Sequence, residues 1–133
     1  MKIFLSSIEN NSIPLIEYLL ANNIKSDYLL VSYFYLRKAK ITLSAIKKLC
    51  NELLIDSGAH SFQKGSRVEW DSYTKEYANW IKENDCPQIL GYFEMDVDNI
   101  IGYEKVLYLR KILEKVSNKI IPVWHKNRGG YYI

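Results

Sequence analysis

Two rhythms of apolar residues alternate along this chain. Short apolar runs that end abruptly in polar residues are followed by stretches in which apolar residues recur every three or four positions. The first kind reads as strands buried on both faces, the second as amphipathic helices. Lys2–Ser6 reads as a first strand, followed by the polar loop Glu9-Asn10-Asn11. Ser12 is placed to cap a helix, Pro14 suits its first turn, and Leu15, Ile16, Leu19 and Leu20 carry the helical period to Asn22 and Asn23. Tyr28–Tyr35, rich in β-branched, leucine and aromatic residues, reads as a second strand. Arg37–Lys40 is a basic turn, and Leu43, Ile46, Leu49 and Cys50 mark a second helix. Leu53–Asp56 is the third strand, and Gln63-Lys64-Gly65 a polar loop after it. Trp70, Tyr73, Tyr77, Trp80 and Ile81 then fall on one helical face, a stripe that is more often core than cofactor box. Asp85-Cys86-Pro87 breaks the chain before a fourth strand, Gln88–Met95. Gly102–Ser117 is the clearest helix, with Val106, Leu109, Ile112, Leu113 and Val116 on one side, and Lys119–Trp124 is a fifth strand ending at His125.

Strict alternation of strand and helix implies an α/β fold with a parallel sheet and right-handed crossovers. A (β/α)8 TIM barrel needs about 250 residues, and five strands in 133 residues is the pace at which one is laid down. The expectation is a single α/β domain over residues 1–133, a partial TIM barrel comprising about its first five strands. No covering helix follows the fifth strand, so apolar surface is expected to remain there, open to a second copy of the chain or to a complementary C-terminal half. A flavodoxin-like open sheet is the alternative, since five parallel strands complete that architecture.

Composition narrows the class. Hydrophobic residues at 48% and charged residues at 25% belong to an ordinary globular protein and argue against disorder. A net charge of +3 is too small to mark a dedicated nucleic-acid binder, although it does not exclude nucleic acid. Eleven tyrosines and three tryptophans serve core packing first, and could also stack on nucleobases. Cys50 and Cys86 show neither metal-ligand spacing nor a disulfide framework, which fits a reducing, cytoplasmic setting. Neither a signal peptide nor a membrane span is legible.

The chemistry gathers at strand ends. Asp56, Ser57 and Gly58 follow the third strand, Asp96 and Asp98 the fourth, and His125 the fifth. In a parallel sheet all of these reach the rim where α/β folds bind ligands. Two nearby carboxylates can have their pKa values pushed apart, one acting as acid and the other as base or acceptor, and a histidine adds a donor. Gly58 permits a sharp turn or a close approach to a ligand. Asp56 could equally cap the turn that follows it. Asp96, Asp98 and His125 carry donor types that Mg, Mn or Zn accept, but Asp-x-Asp spacing alone is weak evidence and no metal is assigned. Ser57 lacks the Gly-x-Ser-x-Gly elbow of a serine nucleophile, and no glycine-rich phosphate loop is present.

Ile55-Asp56-Ser57-Gly58-Ala59, with Phe93-Glu94-Met95-Asp96 and Ile121-Pro122-Val123-Trp124-His125, resembles the tRNA-guanine transglycosylase superfamily, and most of all the phage and bacterial branch that inserts 7-deazaguanines into DNA. The resemblance runs from about Lys2 to His125 and covers the N-terminal half of the family's barrel. It implies a base exchange in which guanine leaves a nucleoside of DNA or tRNA and a 7-deazaguanine replaces it. Asp56 takes the role of general acid/base at the base, and Asp96 that of hydrogen-bonding the purine; a leaving purine needs a proton, and its amidine edge suits a carboxylate. Ser57, Gly58, Asp98 and His125 are the expected substrate-binding residues around them. Where the tRNA enzymes have a second glycine, an aromatic residue and a glutamine, this chain has Ala59, His60 and Ser61, closer to the DNA-type relatives. The family's nucleophilic aspartate and cysteine-rich zinc site lie further along the barrel, so no cofactor is expected in this chain. A hydrolase or glycosidase using the same rim acids, or a non-catalytic binding module, are the rival readings.

Overall fold

The computed structural model describes residues 1–6, 12–38, 40–62 and 67–126, with backbone only at 12–14 and 40–42. The expected loops at Glu9-Asn10-Asn11 and Gln63-Lys64-Gly65, the capping side chain of Ser12 and the tail from residue 127 lie outside it. Five strands, β1 (Leu5–Ser6), β2 (Ser26–Ser32), β3 (Cys50–Asp56), β4 (Ile89–Phe93) and β5 (Ile120–Ile121), form one sheet. Between them run α1 (Ser12–Ala21), α2 (Tyr33–Leu36), α3 (Lys40–Lys47), α4 (Trp70–Asn84), α5 (Asp98–Ile101) and α6 (Tyr103–Glu114).

Every strand pair is parallel, and the spatial order is β1-β2-β3-β4-β5. Each strand therefore lies beside its neighbour in sequence. A barrel wall is laid down in this order, whereas a doubly wound sheet has a point where the order reverses. Repeated right-handed crossovers advancing in one direction put the helices on one face. Burial agrees: Leu29, Val31, Leu53 and Ile55 are buried, while the alternate residues Tyr28, Leu30 and Leu54 are only half-buried. Ile46, Tyr77, Ile81, Leu109 and Leu113 complete the core from the helices.

The aromatic stripe of α4 does what its spacing predicts. Tyr33 stacks on Tyr77 with ring centroids 4.7 Å apart, and Tyr73 and Trp80 flank it. Offset aromatic pairs of this kind add a little beyond the area they bury. Burial pushes the Tyr33 phenol up to about 12.

β1, β4 and β5 are shorter than the expected Lys2–Ser6, Gln88–Met95 and Lys119–Trp124, and α6 is shorter than the expected Gly102–Ser117. Two further boundaries move for a visible reason. Tyr33-Phe34-Tyr35 leaves the second strand and forms the helical turn α2, because the Ser32 hydroxyl accepts the Phe34 N–H at 3.3 Å and caps it. Cys50 opens β3 instead of closing α3, paired in register with Ser26, and burial pushes its thiol up. Among the described residues no helix is long and apolar enough to cross a membrane.

Candidate functional site

The carboxyl end of β3 is held from behind. Asp56 is the last residue of the strand, in register with Ser32, and its Oδ1 accepts the Ser57 N–H at 3.0 Å. The chain then turns at Gly58, whose φ of 75° is left-handed. A Cβ there would lie 2.4 Å from Phe34 Cβ and 2.7 Å from Ser32 Oγ, so glycine is needed for both the turn and the close packing on β2–α2. Ser57 is only 1% exposed. Its carbonyl accepts the Tyr73 hydroxyl at 2.6 Å, and its own hydroxyl accepts the Ala59 N–H at 3.4 Å. Ser57 and Gly58 thus shape the turn from within and offer no accessible side chain to a ligand.

The ends of β4 and β5 are joined by a buried acid. Glu94 is 0% exposed. Arg110 of α6 grips it with two hydrogen bonds, Nε at 2.6 Å and a terminal nitrogen at 3.2 Å, and the Val123 N–H donates to it at 2.8 Å. The Glu94 N–H in turn reaches the Ile121 carbonyl at 3.1 Å. Bidentate carboxylate–guanidinium geometry is the strong form of such a pair, and the Glu94 hydrogen bond raises the guanidinium's pKa further. The clamp fixes the segment that carries His125 against the segment that carries Asp96.

On that frame Met95 and Val97 are buried and Asp96, between them, is 21% exposed at its side chain. One Asp96 oxygen meets Nε2 of His125, and the other meets Nε2 of His60 at 3.4 Å. Asp98, at the start of α5, lies close enough that single donor atoms of Asp96, Asp98 and His125 all fall within 4.8 Å of one another. His60, Asp96, Asp98, Asn99, Ile100 and His125 line a cleft of about 450 Å³. Trp124, beside His125, is 59% exposed.

Asp56 does not line this cleft but is coupled to it. Burial pushes its carboxyl above the ordinary carboxylate range, and the negative charge of Asp96 adds to the rise. The N–H groups of Ser57 and Gly58 and the His60 imidazole pull the other way without overcoming it. Asp56 is thus a carboxyl that holds its proton more tightly than usual near an Asp96 side chain that meets two imidazoles.

Of the residues expected at the rim, Asp96, Asp98 and His125 converge. His60 joins them; its signal in the sequence was a histidine two residues after the glycine of the Asp-Ser-Gly turn. A second cavity, of about 270 Å³, lies between α1 and β2 among Leu15, Leu19, Ile24, Leu29 and Leu49 and holds none of the rim's acids or histidines. Compared with family models, with curated proteins and with solved structures, the chain matches none.

Proposed function

We propose that this chain carries the base-handling half of a transglycosylase-like site that exchanges guanine for a 7-deazaguanine in DNA or tRNA. The observation that carries the reading is Asp56, a strand-end carboxyl with its pKa raised by burial and coupled to Asp96 and His60. Asp56 protonates the departing purine and takes the proton back from the incoming base, so the proton cycles on one carboxyl. Asp96, steadied by His60 and His125, faces the purine edge, and Asp98 closes the same wall. The sequential strand order and the half-buried second face of the sheet are consistent with part of a barrel wall.

Calorimetric titration of the chain with guanine and with a 7-deazaguanine tests the reading. Saturable binding is expected, weakened about ten-fold in Asp56→Asn, the loss of one hydrogen bond to the base. Guanine exchange into DNA or tRNA, assayed with a complementary C-terminal half supplied, is expected to vanish in the same variant. No base binding by a folded chain would sink the proposal. A glycosidase reading differs only in water replacing the incoming base, and product analysis separates the two.

A further inference from the structure

Two carboxylates and an imidazole from two separate strand ends point at one another more closely than the base-exchange reading requires. Asp96 and Asp98 follow β4, His125 follows β5, and their donor atoms lie within 4.8 Å of one another. A divalent ion with bonds of about 2.0–2.2 Å joins donors up to roughly 4.4 Å apart, so seating one needs only sub-ångström side-chain shifts.

The surroundings match what a metal site needs beyond its ligands. His60, on the second oxygen of Asp96 at 3.4 Å, is the kind of outer hydrogen bond that orients a ligating carboxylate. The Glu94–Arg110–Val123 clamp holds the two strand ends in fixed relation, so the donors are assembled before any ion arrives. The same three residues line the cleft together with Asn99 and Ile100.

We infer that Asp96, Asp98 and His125 form a binding site for a divalent cation with mixed oxygen and nitrogen preference, of which Mn²⁺ is the apt probe. The inference goes beyond the base-exchange reading and does not depend on it. Where the base-exchange reading also holds, cation and purine share Asp96, and each weakens the binding of the other by the same factor.

Titration of the full metal-free chain with Mn²⁺, followed by electron paramagnetic resonance and by thermal unfolding, tests it without any base present. One ion per chain and a rise in melting temperature with Mn²⁺ concentration are expected. Asp98→Asn and His125→Ala should abolish the tight site, and His60→Ala should weaken it about ten-fold, as loss of an outer-shell partner does. Each variant's unfolding in the absence of metal reports that it still folds. Absence of Mn²⁺ binding at millimolar concentration, or binding that survives both Asp98→Asn and His125→Ala, overturns the inference. Either result leaves base binding, measured separately in chelator, to stand or fall by itself.

Discussion

Glu94 and Asp96 are two acids separated by one residue at the end of the same strand, and the fold uses them in opposite ways. Glu94 is sealed from solvent and gripped by Arg110 and the Val123 N–H. Asp96 keeps a fifth of its side chain in water and, among the described residues, meets only imidazoles. Residue type therefore says little about the job of a strand-end acid, whereas its partners say most of it. A guanidinium and a backbone N–H make a fixture, while ring nitrogens beside open space make something a ligand can displace.

That division fails first, if it fails, at Glu94. Glu94→Gln leaves the Arg110 charge without its partner in a buried setting, and breaking such a pair costs about 3–5 kcal/mol. Chemical denaturation should show a loss of that size, against less than about 1 kcal/mol for Asp96→Asn, a substitution near the surface average. Equal losses at the two positions would mean that both acids are structural.

Gly58→Ala comes next. Left-handed backbone strain and overpacking against Phe34 together cost about 2–4 kcal/mol. The same denaturation experiment measures it, and Asp56 is expected to lose its coupling to the cleft as the turn is displaced. Tyr73→Phe removes the hydroxyl bonded to the Ser57 carbonyl and should cost about 1–2 kcal/mol, a buried acceptor left unmet.

The smallest effect is one of pH. Burial, with help from Asp96, raises the Asp56 carboxyl, so the folded chain holds that proton more tightly than the unfolded chain does. Its contribution to stability is fully present below the unfolded carboxyl value of about 3.9 and is lost as pH rises through the folded value. Asp56→Asn cannot ionise. It should therefore melt higher than the parent at pH 7 and lose that advantage at pH 4, as paired calorimetric scans would show.

Much of this was legible beforehand. Strand-and-helix alternation gave the parallel sheet, the α4 spacing gave the aromatic core, and their positions after successive strands brought Asp96, Asp98 and His125 to one cleft, which Asp56 does not line. The split between Glu94 and Asp96 was not, because it depends on Arg110, 16 residues on, and on Val123, 29 residues on. Nothing local in Phe93-Glu94-Met95-Asp96 marks which acid will be enclosed. Tyr33-Phe34-Tyr35 misled for a related reason: aromatic residues favour strands, and a single serine hydroxyl capping the next turn outweighs that preference. Ser57 was placed at the rim because it follows the third strand; the structure buries it, with its carbonyl accepting the Tyr73 hydroxyl. Local pattern located the rim, and long-range pairing sorted its members.

The exposed indole of Trp124 has a practical side. Of the three tryptophans, Trp70 is buried and Trp80 partly so, leaving Trp124, next to His125, as the one in water. Its emission should form the red edge of the protein's fluorescence. The molecule thus comes with a built-in lamp beside its cleft, one that needs no dye and that Trp124→Phe would switch off.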